Sequence, residues 1–444
     1  MMRIPASAVL AVTAILASAT TAMAQDPDDE KARKIKEEAM KERMEAVEKK
    51  VQEGVTFSNN NGLKFKTADG NFEGAIGGRF YFVYRHIFER SDAANTSADA
   101  FIVDTARIQL DGTFFKEFAY RIEAEGGKGA DFFVKDAWLM WKGIENHSFQ
   151  FGQFKEPFSQ EENCSSRFND FAERSLVNRL VPAHDVGMMW SGSFADKVVG
   201  VELGLFNGNG RNQALENNDE KDIAARIRLT PFRASDNDFL KNLRIGVAMT
   251  MGDVDSPIAL SDINGADYSN LTMIDYPAVG VITEDGMRTR IGLELSWIVG
   301  SFSARAEYVT MNREFIVVAT GADDDFDTDA FYIQFTYLLT GEDKPLENRV
   351  KPRKNFSIKD GGWGAWELAL RFASLDASDA PTTVLASTAN AEVTEITLGV
   401  NWWMTQNMRL MFNYEMFQFD EDVPQGAETI DDQSVFYTRL QIDF

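Results

Sequence analysis

From Gly62 onward, apolar and polar residues alternate with period two, in segments matching the ~9–11 residues that a tilted strand needs to cross a bilayer. The last segment is the clearest. Phe436, Thr438, Leu440, Ile442 and Phe444 share one face, opposite Tyr437, Arg439, Gln441 and Asp443. The same dyad places Met408, Leu410, Phe412 and Tyr414 opposite Arg409, Asn413 and Glu415, and Trp366, Leu368, Leu370 and Phe372 opposite Glu367 and Arg371. Sixteen such segments run from 74–88 to 434–444. Their connections alternate between short (115–117, 143–146, 195–197, 300–301, 405–406) and long (156–182, 253–286, 314–327, 376–390, 420–433). Antiparallel outer-membrane barrels have this rhythm of periplasmic turns and external loops. The predicted fold is therefore all-β: a 16-stranded antiparallel transmembrane β-barrel, with both termini on the periplasmic side. A closed cylinder also satisfies every backbone polar group in hydrocarbon. Residues 341–362 break the rhythm, because parity makes them a periplasmic turn although they are long and basic. A soluble β-sandwich shares the alternation but not the loop rhythm.

Composition narrows the function. The chain carries 45 Lys and Arg against 69 Asp and Glu, a formal charge of −24 that opposes nucleic-acid binding. One cysteine, Cys164, excludes an internal disulfide and a cysteine-rich metal site, and three histidines leave little imidazole chemistry. Neither cofactor nor metal is expected. A barrel hydrolase needs a positioned nucleophile and base; only His184, beside Asp185, is suitably placed, and no nucleophile accompanies it, so no enzyme is expected.

Residues 1–24 read as a signal peptide: Arg3, an apolar run from Ala8 to Ala19, then Ala22-Met23-Ala24 for cleavage. The run is shorter than the ~20 residues of a spanning helix. Residues 25–54 form a charged segment in which Met40, Met44, Val47 and Val51 recur at helical spacing, which predicts a short periplasmic helix. It could be a solvated tether, an oligomeric stalk or a contact with the cell wall. The barrel is assigned to 55–444.

Several motifs resemble the phosphate-selective porins of the O/P family. They are Gly77-Gly78-Arg79-Phe80, Ala106-Arg107-Ile108-Gln109-Leu110-Asp111-Gly112, Phe118-Ala119-Tyr120-Arg121-Ile122-Glu123, Gly152-Gln153-Phe154-Lys155-Glu156-Pro157, Glu173-Arg174-Ser175 and Leu339-Thr340-Gly341-Glu342. The sharpest is the run Gly361-Gly362-Trp363-Gly364-Ala365-Trp366-Glu367, with the terminal Phe444. The resemblance implies a Gram-negative outer-membrane homotrimer of sixteen-stranded barrels, an internal loop narrowing each pore, and recognition of Phe444 by the barrel assembly machinery. The chain departs from the family pattern at Val103-Asp104-Thr105, where paired basic residues are common. Outer-membrane lipids and lipopolysaccharide are the expected surroundings.

In a porin the site is the lumen wall. Alternation turns Arg79, Arg85, Arg107, Arg121, Arg226, Arg228, Arg244, Arg290, Arg305, Arg371, Arg409 and Arg439 toward water, with no mid-strand lysine among them. Guanidinium binds phosphate or carboxylate bidentately, so this series suits stepwise passage of an oxyanion. The same face carries Asp111, Glu123, Glu125, Asp136, Glu202, Glu294, Glu307, Glu367, Glu415 and Asp443. If the two signs pair throughout, the result is a general, non-selective pore. Residues 156–182, with Arg167, Arg174 and Arg179, form the candidate constriction loop, and Gly208-Asn209-Gly210-Arg211 reads as a turn.

Overall fold

The computed structural model describes residues 34, 36–43, 45, 55–58, 63–88, 99–128, 130–213, 219–258, 263–264, 271–276, 281–381, 390–425 and 428–444. The expected signal peptide lies outside them. Residues 36–43 are helical.

Sixteen strands form the wall. They are β1 (Phe72–Ile87), β2 (Asp99–Phe114), β3 (Phe118–Gly127), β4 (Ala130–Trp141), β5 (His147–Lys155), β6 (His184–Phe194), β7 (Val199–Phe206), β8 (Asp222–Leu229), β9 (Arg244–Ile258), β10 (Ile282–Val299), β11 (Phe302–Val317), β12 (Ala322–Leu338), β13 (Ala365–Asp376), β14 (Glu392–Thr405), β15 (Met408–Gln425) and β16 (Glu428–Asp443). Each pairs antiparallel with the next. β16 returns to β1, from Val435↔Ile87 to Asp443↔Arg79, and closes the cylinder. The period-two pattern is what makes closure favourable. Ile291, Leu293, Leu295, Leu368, Leu370, Ile396 and Leu398 are exposed on the outside, while Glu294, Glu367, Arg371 and Thr397 between them are buried inside.

The seam carries a feature the sequence reading did not include. A hairpin of Val55–Ser58 and Leu63–Thr67 pairs with the start of β1, Leu63 opposite Ile76 and Lys66 opposite Glu73. It covers the part of β1 that β16 does not reach. Phe444 and Gly78 exchange backbone hydrogen bonds of 3.1 Å each way beside it.

Three expected long loops differ. β11 and β12 stay paired to Val317↔Ala322, and β15 and β16 to Gln425↔Glu428, so 314–327 and 420–433 are strand extensions. The aspartates Asp323, Asp324, Asp325 and Asp327 had argued for a loop, since Asp is depleted in strands. Pairing opposite Ile316 and Phe315, with Phe326 buried beneath, overrides that preference. The 253–286 connection is not wholly external. Leu271, Met273, Ile274 and Tyr276 are buried in an apolar cluster with Phe158, Leu176, Val177, Phe315, Leu375 and Val393.

Candidate functional site

Residues 156–182 leave β5, form a short helical turn at Gln160–Asn163 and a 3-10 turn at Leu176–Arg179, and run against the inner faces of β10–β16. A buried loop needs partners for its peptide groups, and the wall supplies them. Arg409 donates to Asn169 O (2.8 Å), Asn401 to Asp170 O (2.8 Å), Arg439 to Ala172 O (2.6 Å), Arg371 to Glu173 O (3.0 Å) and Arg290 to Leu180 O (2.7 Å). Glu307 accepts the Gln160 and Glu161 amides at 3.1 and 2.7 Å. Phe171 presses on Gly399, where an added Cβ would come within 3.0 Å of its ring.

This contact also disposes of the wall's carboxylates. Arg371 bridges Glu395 (2.6 Å) and Glu415 (3.1 Å), and the Tyr437 hydroxyl donates to Glu415 (2.7 Å). Lys344, from the long turn 341–362, joins Glu367 on the wall to Asp170 on the loop. All three of these side chains are buried. Arg371, Arg409 and Arg439 are thus anchored beneath the loop, and Arg305 is buried with Asp170 as its main electrostatic partner. Arg226 and Arg228 pair with Glu294 (2.7 Å) and Glu202 (2.9 Å) on the β7–β10 side.

Between the loop and β1–β6 lie two cavities of about 470 and 230 Å³ that share Arg107, Lys135, Ser166, Arg174 and His184 in their walls, and a smaller one of about 20 Å³ lies between Gln160 of the loop and Arg226, Arg228, Arg244 and Glu294. Lining the 230 Å³ cavity are six cations, Arg79, Arg107, Arg121, Lys135, Lys155 and Arg174, against two carboxylates, Glu123 and Asp136. Glu123 sits between Arg79 (3.0 Å) and Arg107 (3.1 Å), while Glu125 takes Arg107 (2.9 Å) and Lys135 (2.7 Å). Arg121 pairs with Asp111 at 2.6 Å. Arg79 also donates to the Ser166 hydroxyl (3.0 Å), beside Ser165. Arg167, next to Ser166 in the loop, donates to Gln109 Oε1 (3.0 Å). Burial and the neighbouring Arg79 guanidinium push its pKa down to about 10, so it stays charged at neutral pH. Its Nε and that of Arg79 are buried without a hydrogen-bond partner. The two guanidiniums repel one another, and the Arg79 side chain is otherwise taken up by Glu123 and Ser166. Glu162 ties the loop to this wall through Lys155 (3.0 Å) and pairs within the loop with Arg174 (3.2 Å).

Three cations here escaped the sequence reading. Lys135 corrects the expectation of no mid-strand lysine: a β-bulge opposite Glu123/Ala124 turns both Lys135 and Asp136 inward, which strict alternation cannot do. Lys155 lies where the chain leaves the wall. Arg211, in the glycine turn, stacks over Phe133 at 4.6 Å and lines the larger cavity with Arg179. Asp104, at the departure from the family motif, sits at a register shift between β1 and β2 and lines the same cavity.

The model of the phosphate-selective porin O and P family matches residues 75–444. Porin O of Pseudomonas aeruginosa is 26% identical over 428 residues, covering 88% of this chain and 92% of that protein. Among solved structures, the anion-selective porin from Comamonas acidovorans aligns with a TM-score of 0.53 at 13% identity, over 84% of this chain and all of the other. OmpT of Vibrio cholerae, described in its trimer form, aligns at 0.52 and 11% identity, over 84% and 99%. These two likenesses concern the fold. The family model reaches every strand of the wall, and the sixteen-stranded cylinder carries lipid-facing apolar residues around a polar interior; the chain belongs to the phosphate-selective porin O and P family and is a porin of the Gram-negative outer membrane.

Proposed function

We propose that the chain passes small anions, phosphate among them, along the β1–β6 side of its lumen. The observation that carries this reading is the separation of charge: the acids of β11–β15 are taken up by the loop and its anchors, and the 230 Å³ cavity beside β1–β6 is lined mainly by cations. Arg79, Arg107, Arg121 and Arg174, with Lys135 and Lys155, form the track. Arg167 and the Ser165 and Ser166 hydroxyls supply its narrow point, and Arg179 its entrance. Arg371, Arg409 and Arg290 hold the constriction loop rather than the solute, while Arg439 holds the loop and also lines the larger cavity. The resemblance to a porin named for anion selectivity agrees with this.

The test is a planar-bilayer recording of reversal potential in a salt gradient, repeated with phosphate. Anion preference and block of chloride current by low phosphate support the track. A cation preference rejects it, and no preference with no block indicates a general pore. We further propose a homotrimer, by analogy with the trimeric relative, to be checked by native mass in detergent. The segment 25–54 is proposed as a periplasmic extension, and its deletion should leave conductance intact.

A further inference from the structure

The long turn 341–362 has two halves with different surroundings. Its first half enters the lumen mouth: Lys344 reaches Asp170 and Glu367, Arg349 reaches Asp443, and Val350 is buried with Leu338, Ala365 and Trp403. Its second half lies on the outside of the barrel. Phe356 packs edge-on to Trp402 (4.8 Å between centroids), Trp402 stacks on Trp366 (5.1 Å), and the Trp402 indole donates to Trp363 O (2.8 Å). Trp366 and Trp402 belong to the outward face that continues into Leu368, Leu370, Leu398 and Val400, so this half adjoins the lipid-facing wall at its periplasmic end.

We propose that residues 351–363 bind the headgroups of anionic phospholipid in the periplasmic leaflet of the membrane. Lys351, Arg353, Lys354 and Lys359 are exposed here against one acid, Asp360, whose carboxylate already accepts from Ser357 (2.8 Å). Ile358, 89% exposed, and Trp363, 73% exposed, are the largest unburied apolar groups near this rim of the barrel. An apolar tip, interfacial tryptophans and a ring of basic groups together match the headgroup layer: the tip enters the acyl boundary, the indoles sit at its edge, and the ammonium groups meet lipid phosphate. Three other short periplasmic turns offer single lysines, Lys116, Lys142 and Lys197.

The proposal can be tested on the full chain in phosphatidylcholine vesicles containing a minor fraction of phosphatidylglycerol with brominated acyl chains, reading quenching of the tryptophans. Wild type should show stronger quenching by brominated phosphatidylglycerol than by brominated phosphatidylcholine. Lys359→Gln should lower that preference by roughly fivefold, and Lys351→Gln, Lys354→Gln and Lys359→Gln together should abolish it. The matched variant Lys116→Gln, Lys142→Gln and Lys197→Gln removes the same charge elsewhere on the rim and should leave the preference intact. Equal loss in both variants, or full preference in the turn variant, overturns the assignment.

Discussion

Replacing Arg107 with Gln tests the proposed track where it is most exposed to failure, because Arg107 lines both cavities beside β1–β6. An anion passing about 6 Å from the guanidinium gains roughly 0.7 kcal/mol at the dielectric constant of water, and a cation loses as much. Removing the charge therefore moves the anion-to-cation permeability ratio by about 1.4 kcal/mol, or tenfold. Lower effective dielectric in the confined passage makes this a minimum. Glu123 retains Arg79 and Glu125 retains Lys135, so the wall keeps its pairing and the barrel should fold. The assay is the reversal potential in a salt gradient, with Lys359→Gln, far from the lumen path, as the control. A ratio that moves less than twofold refutes the reasoning.

Other consequences concern the loop. Lys344→Met strands two buried carboxylates, Asp170 and Glu367, at a cost of about 3–5 kcal/mol; it should lower the heat resistance of the folded band on gels and increase open-channel noise. Adding Asp170→Asn and Glu367→Gln should recover most of the loss. Gly399→Val, which drives a side chain into Phe171, should displace the loop at about 1–3 kcal/mol and raise conductance. Glu162 gives a pH signature. Burial disfavours its ionised form, but Arg174 and Lys155 outweigh that and hold its pKa at about 2. Its folded value is depressed from 4.5, so its contribution is complete above pH 4.5 and lost as pH falls toward about 2. Channel noise should be flat from neutral pH down to that region and rise below it, and Glu162→Gln should be noisy at neutral pH.

The wall was legible because its grammar is local. A strand between oil and water declares itself by alternation, and the segments 302–313 and 407–419 need no tertiary knowledge to be found. What alternation cannot convey is any break in its own parity. Lys135 was lost to a bulge, and the loop expected at 314–327 gave way to strand at Asp323, Asp324 and Asp325 because pairing with a neighbouring strand outweighs residue preference. The roles of Arg371 and Arg409 were hidden for another reason. Both face inward as arginines of a track should, yet their partners are carbonyls 198 and 240 residues away in the chain. Equal inward signs in sequence thus split into cavity-lining and loop-holding groups only through the path of residues 156–182.

The extended hairpins β11–β12 and β15–β16 have an effect on how solutes arrive. Their exposed tips carry Asp323, Asp324, Asp325, Asp420, Glu421 and Asp431, a negative parapet above a positive interior. Bulk anions must cross that parapet before meeting any attraction. In dilute medium, with a Debye length of about 30 Å at 0.01 M, its repulsion spans the whole antechamber; near 0.15 M, at about 8 Å, it is muted. Capture of anions from outside should therefore quicken as ionic strength rises over this range, the reverse of ordinary electrostatic steering.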